Sequence, residues 1–229
     1  ALMVRKALIA DGKVKSLKDL KGLRVAIVDK GNSEEALLSR ILQRAGLGFA
    51  DIDVIHLPFV EHLAAFTNGA IDASITAEPS LTAIVDAGVG VPFAKESEFE
   101  PDGVTQSAVT IFGDEFMRKE PDTARKFLRA LVRAFRFYNG AVSDGRFTGP
   151  NAAEVIAIMT EYSKFKDPGL FHKIGAFAVD PNGEVDLTAL RNDWQFFKNT
   201  GQISGKVTVE DVTDMSFVQA AAASLDPYH

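Results

Sequence analysis

Short apolar runs alternate with amphipathic stretches along the first 80 residues of the chain. The apolar runs have the length and composition of buried strands. They are residues 23–28, 53–57 and 71–75. Residues 34–45 and 61–68 carry apolar side chains at helical spacing, and Pro79 is placed to open another helix. Strands that alternate with helices predict an α/β fold with a parallel sheet and right-handed crossovers.

Polar residues follow two of the predicted strands, at residues 29–33 and 76–78. The carboxyl ends of parallel strands meet at one edge of a sheet, where ligands of such folds bind. Glu78, just before Pro79, is the side chain that we expect to contact a ligand, and Thr76 can add a hydroxyl hydrogen bond. The position of Glu78 also suits an ordinary surface carboxylate near a helix start.

Gly31, Asn32 and Ser33 lie at a strand-to-helix turn, where backbone N–H groups and the helix dipole can hold a polar or anionic group. N-capping by Asn32 or Ser33 explains the same residues equally well. Glu34 and Glu35 place two carboxylates in the first helical turn, where negative charge is favoured. A strongly anionic solute such as a sulfonate would be partly repelled, so the turn favours a neutral, zwitterionic or heterocyclic solute.

Further candidate contacts come from two aromatic residues and from a polar segment. Phe59 and Phe66 are the aromatic residues that we expect to reach a bound solute. Thr105, Gln106 and Ser107 suit rim or hinge contacts, and they suit polar positions on a sheet face equally well. The predicted ligand-binding residues are Gly31, Asn32, Ser33, Phe59, Thr76, Glu78 and Gln106.

The histidines do not form a metal-binding motif. His56 and His62 are six residues apart across a strand-to-loop transition, whereas a helical metal site places its ligands at i and i+4. We therefore expect both to lie at the rim of the site or on the surface, with no metal ion bound. His172 has no acidic or thiol partner at motif spacing.

Composition excludes several classes of protein. The 229 residues carry a net charge of −6 and a pI of about 5.3, without a Lys/Arg cluster, which argues against a nucleic-acid surface. No apolar run approaches the roughly 20 residues of a membrane helix. Cysteine is absent from the sequence, which excludes disulfides, thiolate nucleophiles and cysteine-based metal sites.

The composition changes at residues 88–103, where glycine, proline and acidic residues predict a linker. Residues 104–112 return to strand character, and we expect this strand to pair with residues 3–9, with another chain, or with sequence that is not present. The rest of the chain is predominantly helical. The predicted helix starts are Pro121, Pro150, Asp186 and Thr208.

Landmarks along the whole chain resemble the periplasmic solute-binding proteins of ABC importers, in the NMT1/THI5-like and SsuA/TauA-like group. They are residues 1–6, 15–26, 69–79, 180–183 and 196–197. The resemblance implies the type II periplasmic-binding-protein fold, in which two α/β lobes joined by two crossover strands hold a solute in a cleft.

Applied to this chain, the resemblance implies three regions. Residues 1–12 are a crossover strand, and residues 13–103 are a complete α/β ligand-binding lobe with a parallel-rich sheet. Residues 104–229 are the return crossover strand and the mainly helical remainder of the other lobe, whose amino-terminal part is expected to be missing. Apolar faces left bare by that missing part are expected to cause self-association.

The implied function is that of the periplasmic solute-binding component of an ABC importer, with no catalysis and no cofactor. Its partners would be an ABC permease and a small organic solute such as a sulfonate, an aromatic acid, a pyrimidine or an amine. One alternative on the same fold is an enzyme of the thiamine-pyrimidine or menaquinone (futalosine) type, and the pyrimidine enzymes use a cysteine-containing segment that this chain lacks. Another alternative is the effector-binding domain of a transcriptional regulator, but residues 1–229 contain no basic helix-turn-helix.

Overall fold

The chain forms two compact units, which the computed structural model describes over residues 1–99 and 106–228. Unit 1 consists of Ala1–Thr105 and Thr188–Ser204, and unit 2 consists of Gln106–Leu187 and Gly205–His229. Each unit contains its own clusters of buried apolar residues.

The strands occupy the first part of the chain, and helices continue to its end. The strands are β1 Leu2–Arg5, β2 Arg24–Ile27, β3 Asp53–His56, β4 Ala73–Ile75 and β5 Gly90–Ala94. The α-helices are α1 Lys6–Ala10, α2 Ser33–Arg44, α3 Phe59–Thr67, α4 Ser80–Asp86, α5 Asp114–Lys119, α6 Pro121–Gly140, α7 Ala152–Tyr162, α8 Pro168–Phe171, α9 Leu187–Asn199, α10 Val209–Val212 and α11 Ser216–Ala223. Short 3₁₀ helices occupy Leu17–Leu20, Phe49–Asp51 and Glu96–Glu98.

The five strands form one sheet in the order β3-β2-β4-β1-β5. Strand β2 is parallel to both β3 and β4. Strand β1 is antiparallel to both β4 and β5, so the other four strands all run in one direction. The predicted α/β class with a parallel-rich sheet is confirmed.

Both faces of the sheet are covered by helices, because successive side chains of a strand point to opposite faces. Leu2 and Val4 of β1 belong to an apolar cluster that includes the buried side of α2. Met3, between them, belongs to a second cluster with Phe66 of α3 and Ile84 of α4. Unit 1 therefore has the helix–sheet–helix layering of an α/β domain.

Most of the elements predicted for the first 80 residues are confirmed to within about two residues. The three predicted strands are β2, β3 and β4, and the two predicted helices are α2 and α3. Helix α4 begins directly after Pro79, as predicted. Apolar periodicity was sufficient here because each element packs apolar side chains against one of the two clusters of unit 1.

The linker predicted at residues 88–103 is wrong for Gly90–Ala94, which forms the edge strand β5. A Cβ added at Gly90 would lie 2.6 Å from Cγ2 of Ile84, so glycine permits a close approach between β5 and α4. Pro92 lies opposite Met3 in an edge strand, where proline is tolerated because edge strands need fewer N–H donors.

The strand predicted at residues 104–112 is wrong for its described part, because residues 106–112 form no strand. Residues 104 and 105 lie outside the described residues. Val109 and Ile111 are 44% and 83% exposed, so the apolar side chains that suggested a strand are not buried on a sheet.

The strand predicted for the start of the chain is shorter than residues 1–12. It covers Leu2–Arg5, and Lys6–Ala10 turns into helix α1. Strand β1 has a hydrogen-bonded neighbour on each side, β4 and β5. Neither edge of β1 is therefore open for the pairing with residues 104–112 that the sequence suggested.

Unit 2 is built from helices around two apolar clusters. One includes Phe147, Ile156 and Phe171, and the other joins Val132 of α6 to Val218 of α11. The helix starts predicted from capping signals are confirmed. Pro121 is the first residue of α6, α7 begins two residues after Pro150, α9 begins directly after Asp186, and Thr208 forms a capping box with Asp211 at α10.

The compact units differ from the regions that the resemblance implied in one respect. Thr188–Ser204, which contains most of α9, belongs to unit 1, whereas the sequence placed it with residues 104–229. Arg40 of α2 forms an ion pair with Asp193 of α9 at 3.0 Å, and both side chains are mostly buried. Burial raises the pKa of the Asp193 carboxyl, against the opposing effect of Arg40.

Candidate functional site

The candidate site is the edge of the unit 1 sheet at which β2, β3 and β4 end. These three strands are parallel and adjacent, so the loops that follow them lie side by side, as in other α/β ligand sites. The loops are residues 28–32, 57–58 and 76–79.

The turn after β2 depends on Gly31 and on the N-cap of α2. Gly31 has φ of +75°, a left-handed conformation that glycine adopts readily. The Asn32 side chain accepts a hydrogen bond from the backbone N–H of Glu35 at 3.1 Å. Asn32 therefore caps α2, which is the alternative to a solute contact that the sequence left open. Ser33 is the first residue of the helix and is half-buried.

Two carboxylates of the chain accept hydrogen bonds from the amide groups of this turn. Glu35 Oε2 accepts from Gly31 N at 2.7 Å, and its Oε1 accepts from Gln202 Nε2 at 3.2 Å. Glu34 Oε2 accepts from Val28 N at 3.1 Å and from the Asn32 amide at 3.2 Å. Anion sites at helix starts use such N–H groups, and here carboxylates of the chain take them.

Burial raises the pKa of the Glu34 carboxyl above its ordinary value, against the hydrogen bonds from Val28 and Asn32 that lower it. The negative charge of Glu96 acts in the same direction as burial. An added anion would meet the like charges of Glu34 and Glu96 at this turn.

Thr76 is one of three hydroxyl and imidazole groups in a buried hydrogen-bonded chain. Its Oγ1 lies 2.9 Å from Nδ1 of His62 and 2.5 Å from Oγ of Ser74. Nε2 of His62 lies 2.9 Å from the carbonyl oxygen of Leu57. Ser74 and His62 are 0% exposed and Thr76 is 1% exposed, so the hydroxyl of Thr76 faces protein groups.

Glu78 lies in the same loop and is half-buried. Its Oε2 accepts from the backbone N–H of Thr82 at 3.0 Å, and its Oε1 accepts from the Thr82 hydroxyl at 3.0 Å. The carboxylate thus stabilises the first turn of α4, and a contact with a solute would add to this role.

Phe59 and Gln106 lie in different units. Phe59 is the first residue of α3, and its ring packs edge-to-face on His62 with 5.5 Å between centroids. Gln106 belongs to unit 2, where its Oε1 accepts from the N–H of Asp186 at 2.9 Å and its Nε2 donates to the carbonyl of Ala108 at 2.7 Å.

The structure therefore brings six of the seven predicted contact residues to one edge of unit 1. They are Gly31, Asn32, Ser33, Phe59, Thr76 and Glu78. Phe66 is a core residue that is 2% exposed, which corrects its predicted contact with solute. Thr105 lies outside the described residues, and Ser107 is exposed in unit 2.

His62 and Ser74 are the polar residues whose role the sequence analysis missed. The prediction that His62 lies at the rim or on the surface is wrong, because the ring is 0% exposed. The sequence contained a signal for this burial, because the apolar residues Ala65 and Phe66 follow His62 at three and four residues, on the same helical face. Both are buried in the structure.

Two surface grooves lie away from this edge. A groove of about 380 Å³ in unit 1 is lined by residues that include Gln43, Phe49 and Asn192. A groove of about 670 Å³ in unit 2 is lined by residues that include Phe137 and Tyr228. Neither contains any of the predicted contact residues.

Residues 1–99 and 106–228 contain no group of three or more His, Asp or Glu side chains placed to hold a metal ion. Within the same ranges, no helix has the length and apolar character needed to cross a membrane.

The fold is that of the ligand-binding components of ABC importers. The chain superposes on such a component from Staphylococcus aureus, solved with zinc bound, with a TM-score of 0.73 at 14% identity, covering 96% of this chain and 69% of that one. The nitrate-binding protein NrtA of Synechocystis gives 0.68 at 14%, covering 98% and 64%. The aliphatic sulphonate-binding protein SsuA of Escherichia coli gives 0.66 at 19%, covering 92% and 63%.

The chain belongs to the NMT1/THI5-like family, which matches residues 4–139, more than half of its length. A Brucella abortus protein with the provisional name of a binding protein is 31% identical over 130 residues, which are 56% of this chain and 40% of that protein. An Escherichia coli protein, provisionally named for binding aliphatic sulfonates, is 40% identical over 79 residues, which are 34% and 24% of the two chains. The matches thus span less than half of these relatives. The resemblance on which the sequence analysis relied is confirmed.

Proposed function

We propose that the chain binds a small organic solute at the carboxyl edge of the unit 1 sheet, as the periplasmic solute-binding component of an ABC importer. The proposal rests on one observation: the loops that follow β2 and β4 lie side by side in a chain of the NMT1/THI5-like family. The partners in this function are the solute and an ABC permease.

The charge of the site favours a neutral, zwitterionic or heterocyclic solute. Glu34 and Glu35 hold the N–H groups of Val28 and Gly31, so an anionic group would have to displace a carboxylate or lie beside it. Sulfonate and nitrate, which appear in the names of structural relatives, are therefore disfavoured as solutes of this chain. Pyrimidines and amines suit the edge better, because they present N–H donors to carboxylate oxygens.

The proposed function includes no chemical step. The pair formed by Thr76 and His62 has the hydroxyl-to-imidazole distance of a nucleophile and its base. However, both groups are at most 1% exposed, and the other ring nitrogen is bonded to a backbone carbonyl. A substrate carbonyl cannot reach this hydroxyl, so we assign the pair a structural role. The absence of cysteine also counts against a pyrimidine enzyme of the cysteine-using type.

A thermal-shift screen of the purified chain tests this function. The panel contains sulfonates, aromatic acids, pyrimidines and amines, and each solute is recovered afterwards for mass spectrometry. We expect a pyrimidine or an amine of the panel to stabilise the chain, by about 2.7 kcal/mol at 100 times its Kd, and to be recovered unchanged. Conversion of the solute, or stabilisation only by sulfonates, would contradict the proposal.

We also propose that the isolated chain self-associates through an aromatic cluster of unit 2, formed by Phe112, Phe116 and Phe127. The Phe112 ring stacks on Phe116 with 5.5 Å between centroids and meets Phe127 edge-to-face at 5.7 Å. Phe116 and Phe127 remain 36% and 50% exposed, and Ile111 beside them is 83% exposed. A patch of this kind on a second copy is self-complementary, as a two-fold interface requires.

Sedimentation velocity tests this association over a range of protein concentrations. We expect a dimer that weakens in Phe127→Gln and persists in Val212→Gln, a control that changes an exposed apolar residue elsewhere in unit 2. A wild-type chain that stays monomeric at all concentrations would overturn this part of the proposal.

A further inference from the structure

The His62 ring connects three elements of unit 1. His62 lies on α3, its Nε2 meets the carbonyl of Leu57 directly after β3, and its Nδ1 meets the hydroxyl of Thr76 directly after β4. The loops after β3 and β4 are two of the three that form the candidate site. A single buried side chain thus holds two of these loops against the helix between them.

The hydrogen bonds determine which nitrogen carries the proton. A carbonyl oxygen only accepts, so Nε2 of His62 must donate to Leu57. In a neutral ring Nδ1 then accepts, which requires the Thr76 hydroxyl to donate to it. The Ser74 hydroxyl in turn donates to Thr76 Oγ1. When the ring is neutral with its proton on Nε2, the polar hydrogens of the Ser74, Thr76 and His62 side chains all have acceptors.

Protonation of Nδ1 would reverse the direction of these hydrogen bonds. The Thr76 oxygen would have to accept from the ring, and its own hydrogen would turn toward Ser74. Ser74 is 0% exposed, and no further acceptor is hydrogen-bonded to its Oγ within the described residues. One buried hydroxyl would therefore lose its acceptor at the same time as a charge is buried, and both changes are costly.

We propose that His62 is a positioning residue, which holds the loops after β3 and β4 in place while its ring is neutral and releases them when the ring is protonated. The proposal rests on the proposed function only in that these loops are the solute-binding ones. Its consequence is that solute is held at neutral pH and released in acid.

The surroundings of the ring keep it neutral at pH 7. Burial lowers the pKa of His62 below its ordinary value of 6.5, and it outweighs the Leu57 hydrogen bond and the Glu61 charge, which raise it. Titratable groups on or beside the packed elements are Glu61 of α3, Asp53 and His56 of β3, Glu78 after β4, Asp72 before β4 and Asp86 of α4. Among these, the charge of Glu61 is the one that acts on the ring.

The sign of the pH dependence follows from this lowered pKa. The released state takes up a proton near pH 6.5, and the closed state takes it up only at lower pH, so acid favours the released state. The closed arrangement is therefore fully stable above about pH 6.5 and loses stability as the pH falls below that value.

Two NMR measurements on the solute-free chain test the proposal. The ring nitrogen shifts of His62 should show the Nε2–H tautomer at pH 7.5. Amide exchange should show that the protection factors of Leu57 and Leu81, whose N–H groups donate to Ile27 and Ala77, fall about tenfold between pH 7.5 and 5.0. Since no solute is present, failure of this test and failure of the proposed function can be told apart.

Variants separate positioning from simple packing. The pH-dependent fall should persist in His56→Gln, which removes an exposed histidine at the end of β3, and disappear in His62→Phe, which keeps an aromatic ring. Thr76→Val, which removes the hydroxyl that joins the loop after β4 to the ring, should lower the protection of Leu81 already at pH 7.5, and Thr76→Ser, which keeps the hydroxyl, should retain the wild-type protection. This pair replaces His62→Phe if that variant does not fold. An Nδ1–H tautomer, unchanged protection between pH 7.5 and 5.0 in wild type, or wild-type protection of Leu81 in Thr76→Val would overturn the proposal.

Discussion

Asp72 is the residue that ties the sheet together at the edge opposite the candidate site. Its carboxylate accepts from Arg24 Nε at 2.9 Å and Nη2 at 3.0 Å, and from Arg5 Nη2 at 2.7 Å. The Asp72 side chain is 10% exposed. Burial tends to raise the pKa of Asp72, but the hydrogen bonds and charges of Arg24 and Arg5 lower it below its ordinary value.

Asp72→Asn should lower the free energy of unfolding by about 1–2 kcal/mol, since it leaves two partly exposed arginines beside an uncharged partner. Because the folded-state pKa of Asp72 is lowered, the carboxylate stabilises the fold above about pH 4, and this contribution is lost as the pH falls further. Urea unfolding at pH 7 and pH 3 should show that the difference in free energy of unfolding between wild type and variant is smaller at pH 3. Asp11→Asn, at an exposed position, is the control, and an equal effect of both substitutions would refute the prediction.

Glu78→Ala should weaken solute binding and also lower the free energy of unfolding by about 1 kcal/mol, the usual effect of losing a cap. The stability loss arises because Thr82 N loses its acceptor. Thr82→Ala removes the other partner of the carboxylate and should affect stability without weakening affinity. Calorimetric titration with the solute selected by the screen separates the two effects. Equal losses of affinity in both variants would mean that Glu78 is only a helix-start residue.

At the residue scale, the sequence locates polar positions at the ends of strands but not the direction in which each side chain bonds. From sequence, Asn32 fits a cap and a solute contact equally well, and Glu78 is favoured as a solute contact over a surface carboxylate near a helix start. Only distances show that both form bonds within the chain. The Thr76 hydroxyl could not be assigned because its partner His62 comes from another element, 14 residues away.

At the scale of elements, β5 shows how a glycine can determine the packing of a strand on a helix. Gly90→Ala should lower the free energy of unfolding by about 1–3 kcal/mol, because the added methyl group would overlap Cγ2 of Ile84. Gly48→Ala is the control, since its added Cβ meets no atom within 4 Å, and it should stay within about 0.5 kcal/mol of wild type. Chemical unfolding measures both, and a neutral Gly90→Ala would contradict the packing of β5 on α4.

Elements with strong periodicity were predictable, and elements defined by their neighbours were not. Helix α2 buries Leu37, Leu38, Ile41 and Leu42 in an apolar cluster, and their spacing is visible in the sequence. Strand β5 carries Gly90 and Pro92, which resemble a linker until the edge position and the close helix are known. Residues 106–112 show the opposite error, because β-branched residues there find no strand partner in the described part of the chain.

At the scale of the whole molecule, the family could be predicted because its landmarks are spread in order along the sequence. The division into units could not, because it depends on contacts between distant residues. The bonds from Arg40 to Asp193 and from Gln202 to Glu35 join positions 153 and 167 residues apart. No local pattern in residues 188–204 indicates that they pack with α2.

The most direct test of the central claim is a map of where a solute binds. In ¹H–¹⁵N spectra of the chain, titration with the solute selected by the screen should shift the amides of residues 31–33, 76–78 and 80 first and most strongly. Shifts confined to the groove lined by Gln43 and Asn192, or to unit 2, would contradict a solute site at the carboxyl edge of the unit 1 sheet.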